Sequence, residues 1–382
     1  MVGRSRVGWA KETIGAIAKP PIEPAAKRTN CRRLRFIAGR VWWFDSRETG
    51  TWQRIPWRQV HARSATAGIS SLSKRLRAED VALTPYPIGT PGVAWGAPER
   101  TQWLSRQRKL RSFHDDVVTR IKHLATRFDV EEYGRLDYPP DHYPQLALRS
   151  RGALDNRPWV LVTGGVHGYE TSGVHGALQF LEQRAADYPV NLLAVPCVSP
   201  WAYERVQRWN ANAVDPNRSF KEDGAAAESA ALLRLVAPLR GRFLLHVDLH
   251  ETTDSDESEF RPALAARDGK PFEPGVIPDG FYLVDNRENP QPEFQRAIIE
   301  AVARITHIAP ADDKNEIIGS PLVAPGVIDY PLRELGLCAG ITAARYTTTT
   351  EVYPGPSATS AQCNAAQVAA CCAAIEYALR KI

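Results

Sequence analysis

The chain has 382 residues, enough for one large domain or two smaller ones, and no apolar run approaches the roughly 18 residues of a membrane span. The basic N-terminus lacks the apolar core of a secretory signal, so neither membrane association nor export is expected. The net charge of +5 is uneven: residues 1–80 carry 17 Lys/Arg against 6 Asp/Glu, while the remainder carries 31 against 37 and is mildly acidic.

Residues 1–80 show little hydrophobic periodicity. They hold a proline-rich patch from Lys19 to Pro24, the basic cluster Cys31-Arg32-Arg33-Leu34-Arg35 and the aromatic segment Val41-Trp42-Trp43-Phe44. This composition predicts a basic extension that is mostly disordered or loosely attached. Arginines interleaved with tryptophans could pair phosphates and stack on bases. No recognition motif accompanies them, and no nucleic-acid partner is expected. Six cysteines (Cys31, Cys197, Cys338, Cys363, Cys371, Cys372) lack CxxC spacing and read as reduced, buried thiols of a cytoplasmic protein.

Order is expected to begin near Tyr86, where Pro87, Gly89, Pro91 and Gly92 mark a loop. A long amphipathic helix follows, with Leu110, Phe113, Val117, Val118, Ile121 and Leu124 at spacings of three and four. Strands are expected at 144–148, 159–163, 191–197, 243–249, 280–284 and 340–350, with helices at 173–186, 225–239, 293–306 and 360–379. This alternation predicts a single α/β domain over residues 81–382, with a mixed, largely parallel central sheet flanked by helices. Ligands in such sheets gather where strands end and loops begin.

The sharpest chemical signal lies at the end of one strand. Val160-Leu161-Val162 is too continuously apolar for a half-exposed strand and fits one covered on both faces. Gly164 and Gly165 let the chain turn sharply beyond it. His167 and Glu170 follow one turn apart, an imidazole and a carboxylate that can converge on a borderline cation such as zinc. The apolar strand from Phe243 to Leu249 repeats the arrangement and ends at His250, with Asp248 placed to hold an imidazole tautomer. His246 lies deeper on the same face and reads as a hydrogen-bonded core histidine. Three protein ligands, His167, Glu170 and His250, would leave the open fourth position of a catalytic zinc site. Between these strands, Arg208, Asn217 and Arg218 lie near a proline turn and could present guanidinium and amide groups to a carboxylate or carbonyl.

In this order, His167-x-x-Glu170, Asp215-x-Asn217-Arg218, Asp248-Leu249-His250 and a glutamate on a late strand, the chain resembles the zinc carboxypeptidase A/B superfamily over about residues 85–380. That superfamily also holds the succinylglutamate desuccinylase and aspartoacylase deacylases. The phrase from His250 to Phe260 further resembles a bacterial carboxypeptidase-like subgroup, some of whose members prefer basic C-terminal residues. The resemblance implies one zinc ion, and a peptide or N-acyl amino acid as substrate. It implies Glu351 as the general base that takes a proton from water and returns it to the leaving amine. It also implies Arg208 as the group that polarises the scissile carbonyl, and Asn217 and Arg218 as the clamp on the terminal carboxylate. A metallocarboxypeptidase that removes single C-terminal residues by promoted-water attack, with basic end residues slightly preferred, is the first expectation. A deacylase of the desuccinylase type, or a non-catalytic metal or peptide binder, is the alternative. The deacylases carry a further β-rich domain beyond the base, and only 31 residues follow Glu351 here.

Two features leave the pocket open. The tyrosine that carboxypeptidases carry before the pocket loop is replaced by Ser320 and Pro321, leaving Tyr330, Tyr346 and Tyr353 as substitutes. Ile328 suggests an apolar pocket, whereas the acidic run from Asp254 to Glu259, by default a solvated loop, suggests a field that attracts Lys or Arg, with a second metal there as the lesser alternative.

Overall fold

The computed structural model describes residues 86–382, together with three short strands nearer the N-terminus, β1 (Arg32–Ile37), β2 (Arg40–Asp45) and β3 (Trp52–Arg54). The chain divides into two compact units, Met1–Thr84 and Pro85–Ile382. In the first unit the three strands form an antiparallel sheet in the order β1-β2-β3, with Ile37 paired to Arg40. These strands fall within the basic extension expected at residues 1–80. Leu34, Phe36 and Val41 to Phe44 flank a glycine, the apolar content and spacing of a hairpin. The rest of the expected extension, with its conceivable nucleic-acid arm, lies outside the described residues.

The second unit is built on ten strands: β4 (Phe128–Tyr138), β5 (Asp141–Ser150), β6 (Trp159–Gly164), β7 (Asn191–Val195), β8 (Phe243–Leu249), β9 (Tyr282–Asn286), β10 (Glu316–Ile317), β11 (Ser320–Pro321), β12 (Val327–Tyr330) and β13 (Tyr346–Glu351). Eight of them form the central sheet in the order β12-β9-β13-β8-β6-β7-β5-β4, and β10 and β11 pair separately. The inner strands β13, β8, β6 and β7 run parallel, while β9 and β5 flank them antiparallel. The mixed, largely parallel sheet expected from the sequence is what the chain forms.

The apolar run of β6 is buried on both faces. Val160 and Val162 join Val174, Leu178, Leu181 and Ile375, from the helices Thr171–Gln183 and Ser360–Leu379. Trp159 and Leu161 pack on the opposite face with Leu232, Leu235 and Val236, from the helix Ala227–Val236. Because β6, β8 and β13 are parallel neighbours, their C-terminal ends meet along one edge of the sheet. His167 and Glu170 lie just beyond β6, His250 follows β8, and Glu351 ends β13.

The expected helix around residues 110–124 is shorter than its periodicity suggests. It forms as a π-turn segment, His114–Val118, leading into a helix, Thr119–Leu124. Leu110 is left exposed, its backbone N–H donating to the Glu204 carbonyl across the loop. The edge strand β4 and the helix Ala97–Arg106 are additional, both too polar along most of their length to announce themselves.

Candidate metal centre

Two glycines explain the path of the loop after β6. Gly165 has φ of +60°, a left-handed turn that side chains resist. Gly168 lies so close to the helix Pro200–Arg205 that an added Cβ would sit 2.0 Å from the Ala202 carbonyl carbon. The chain therefore folds back tightly and carries His167 and Glu170 to the mouth of the sheet.

There His167, Glu170 and His250 bring one ligand atom each to within 4.8 Å of one another. All three are at most 2% exposed. His167 Nδ1 lies 2.6 Å from Glu170 Oε1, and His250 Nδ1 lies 2.8 Å from Glu170 Oε2. Both imidazoles turn Nε2 the other way, toward a buried carboxylate: Asp215 at 3.0 Å for His167 and Asp248 at 2.8 Å for His250. A carboxylate behind each histidine fixes its tautomer and makes the inward nitrogen a better donor to a cation.

Burial alone would raise Glu170, but the two adjacent histidines outweigh it and bring the carboxyl down to about 2. Burial likewise opposes charge on His250, yet Glu170 and Asp248 hold its pKa well above the ordinary value. Glu170 Oε2 is buried without a well-aligned hydrogen bond. Two imidazole nitrogens and one carboxylate, closely spaced and fully buried, fit a divalent cation such as zinc.

The other residues singled out from the sequence surround this point. Arg208, Asn217, Arg218 and Glu351 line the same cleft as His167, Glu170 and His250. Glu351 Oε2 accepts from the Thr252 hydroxyl at 2.9 Å and stands outside the ligand group. Burial pushes Glu351 up to about 8 against the opposing field of His250. Arg208 donates from Nε to Asp215 Oδ2 at 3.1 Å and from Nη1 to the Tyr169 hydroxyl at 3.3 Å. Asn217 Oδ1 accepts from the Cys338 backbone N–H at 2.7 Å, which leaves its amide N–H₂ free to donate. Arg218 donates from Nη1 to the Asn217 carbonyl at 2.7 Å and has no carboxylate partner among the described residues.

Sequence reasoning did not single out Tyr169, Thr252 or Tyr282, which also line the cleft, and noted Asp256 only as part of the acidic run. Their signal was weak, since each lies beside a recognised motif without adding to its spacing. Asp215 was part of a quoted motif, but its double contact needs the three-dimensional structure. Among the candidate tyrosines, Tyr330 lines the cleft, its hydroxyl 2.9 Å from Ser320 Oγ. Tyr346 is packed between Phe294 and Tyr377, and Tyr353 donates to Asp254.

The acidic run is largely committed to the fold. Asp254 accepts from Tyr353, Asp256 from Tyr169 and the Thr253 N–H, Glu257 from Arg261 and the Gly275 N–H, and Glu259 from Tyr86. Only Asp256 reaches the cleft, where Arg208 Nη1 lies 3.6 Å away. Val284, Ile318, Ile328 and Leu337, which belong to one apolar cluster, also line the cleft. No helix among the described residues is long and apolar enough to cross a membrane, and the five described cysteines are buried and unpaired.

Residues 156–268 match the family model of the succinylglutamate desuccinylase/aspartoacylase catalytic domain. No curated protein matches the chain. The fold is similar to that of two solved Shewanella proteins, each named provisionally as a metallopeptidase. The protein of Shewanella amazonensis SB2B is 21% identical, with 69% of this chain and 91% of that one covered and a TM-score of 0.50. The protein of Shewanella baltica OS155 is 19% identical, with 75% and 99% covered and a TM-score of 0.51. The superfamily resemblance read from the sequence agrees with the matched domain and with the fold.

Proposed function

We propose that this chain, which carries a match to the desuccinylase/aspartoacylase catalytic domain on a metallopeptidase-like fold, is a zinc-dependent metallocarboxypeptidase that hydrolyses the last peptide bond of its substrate. The observation that carries this reading is the shared cleft: a buried His167/Glu170/His250 donor set shares it with Glu351, Arg208 and an arginine, Arg218, that has no carboxylate partner among the described residues. A zinc ion held by the three donors would supply Lewis acidity toward the substrate carbonyl and lower the cost of deprotonating water.

The chain's own groups do the rest. Arg218 and the Asn217 amide bind the terminal carboxylate, which sets the last peptide bond at the donor set. Arg208, held by Asp215, donates toward the carbonyl oxygen as negative charge grows there. Ionised Glu351 takes the proton of the attacking water and, as an acid, passes it to the leaving amine. The Thr252 hydroxyl holds that carboxylate in place through Oε2.

The apolar residues Val284, Ile318, Ile328 and Leu337 suit an apolar terminal side chain, and the acidic run that suggested a basic preference is occupied by tyrosines, backbone N–H groups and Arg261. An apolar terminal residue is therefore the favoured substrate. The second reading, an N-acyl-amino-acid deacylase, draws support from the family match over residues 156–268. An aspartate or glutamate leaving group carries a second carboxylate, which the apolar side chains of Val284, Ile318, Ile328 and Leu337 do not match. The test is a panel of short peptides differing only at the terminal residue, run beside N-acetylaspartate and N-succinylglutamate. Release of apolar terminal residues supports the peptidase, and turnover of the acyl amino acids alone would replace it with the deacylase.

A further inference from the structure

Behind the proposed ligands lies a second group of buried donor side chains, His246, Asp248 and Cys338, whose donor atoms fall within 4.8 Å of one another. The hydroxyl of Thr163, itself fully buried, stands among them. It is 2.9 Å from His246 Nε2, 2.6 Å from Asp248 Oδ1 and 3.6 Å from Cys338 Sγ. A hydroxyl in contact with all three occupies the place an ion would need, so the group is a hydrogen-bonded chain.

Its register follows from the sheet. Thr163 of β6 pairs directly with Asp248 of β8, and Leu161 pairs with His246 two residues earlier. Residues 246 and 248 share one face of β8, and Thr163 lies beside them on that face.

Proton counting gives the direction of the chain. Ionised Asp248 only accepts, so the single Thr163 proton goes to Oδ1, and the hydroxyl lone pair accepts from His246 Nε2. This assigns His246 as the neutral Nε2–H tautomer. Its Nδ1 is buried and makes no well-aligned hydrogen bond, with the Ala339 backbone as the polar group beside the ring. Asp248 Oδ2 accepts from His250 Nε2 at 2.8 Å, which leaves His250 Nδ1 facing Glu170 and the metal position. Cys338 joins the chain to the substrate clamp, because its backbone N–H holds Asn217 Oδ1.

We propose that Thr163 is a positioning residue: backed by His246, it locks the Asp248 carboxylate and so holds His250 with Nδ1 aimed at the metal. The proposal rests on the reading of His250 as a ligand. β-branched Thr163 has restricted χ1 freedom, which keeps the hydroxyl on target. No metal contact is assigned to Thr163 or His246.

Thr163→Val keeps the side-chain shape and removes the hydroxyl, whereas Thr163→Ser keeps the hydroxyl. Zinc affinity of the full chain is measured by competition with a chromophoric chelator, and the visible spectrum of the cobalt(II)-loaded protein reports ligand geometry. Thr163→Val is expected to bind zinc about 10- to 100-fold more weakly, with an altered cobalt spectrum, and Thr163→Ser to restore both. Equal zinc affinity in wild type and Thr163→Val would overturn the positioning role while leaving the metal site intact. A wild-type chain that binds no zinc would overturn both. Should Thr163→Val fail to fold, imidazole ¹⁵N spectra of the wild type decide. A neutral Nε2–H His246 supports the chain of donors, and an Nδ1–H tautomer refutes it.

Discussion

His167 and Arg208 are held by the same carboxylate. Asp215 Oδ1 lies 3.0 Å from His167 Nε2, and Asp215 Oδ2 accepts from Arg208 Nε at 3.1 Å. One residue thus orients both a proposed metal ligand and the cation proposed to meet the substrate carbonyl. Burial alone would raise Asp215, but Arg208 and His167 hold its carboxyl well below the ordinary range. Asp215→Asn is expected to weaken zinc binding about 10- to 100-fold. Kinetics at saturating zinc separate the two roles: a kcat defect should persist there, and full recovery would show that the Arg208 contact carries no catalytic weight.

Glu351 lies in the cleft but outside the ligand group. Glu351→Gln is expected to lower kcat about 10²- to 10⁴-fold, the usual contribution of a positioned base. Zinc affinity should be unchanged. Loss of zinc binding in this variant would make Glu351 a ligand instead of a base.

The same residue leaves a mark on stability. Burial raises Glu351 from 4.5 to about 8 and the neighbouring Glu251 to about 7 in the metal-free protein. Folded protein then keeps protons that the unfolded chain has released, so these groups stabilise the fold below pH 4.5 and lose that contribution as pH rises toward 8. Thermal melts of zinc-free protein at the two ends of this window should show Glu351→Gln gaining stability relative to wild type at the higher pH. A difference that does not change with pH would contradict the assignment.

Arg218 has no carboxylate partner among the described residues, its Nη1 donating to the Asn217 carbonyl. Its proposed partner is the terminal carboxylate of the substrate. A hydrogen bond to a charged group is worth about 1.5–3 kcal/mol, so Arg218→Ala should lower kcat/KM roughly 10- to 150-fold for a free-acid peptide. The corresponding C-terminal amide, expected to be a poor substrate for want of that carboxylate, should lose little. Equal losses on acid and amide would show that Arg218 serves the fold.

Much of this was legible in the sequence for physical reasons. β6 announces itself because a strand buried on both faces must be continuously apolar, and His167, Glu170 and His250 stand where parallel neighbouring strands end. The strand order places Glu351 beside them, although 101 residues separate it from His250 in sequence. What stayed hidden depends on side-chain pairing across the fold. The acidic run from Asp254 to Glu259 looked like an exposed field, but Tyr86, Tyr169 and Tyr353, distant in sequence, take up three of its carboxylates. Leu110 fitted a helical stripe, yet its backbone bonds Glu204 in a loop. Periodicity reports what a segment could bury, and long-range partners decide whether it does.

The central claim is that the His167/Glu170/His250 centre drives removal of one terminal residue. Its most direct measurement follows a single peptide with a free carboxylate and an apolar last residue by mass spectrometry. Bound zinc is quantified on the same samples as metal is stripped by a chelator and then restored. The account predicts loss of one C-terminal residue that disappears with the zinc and returns in proportion to it. Cleavage that continues after the zinc is gone, or a zinc-loaded chain that leaves the peptide intact while hydrolysing N-acyl amino acids, would contradict it.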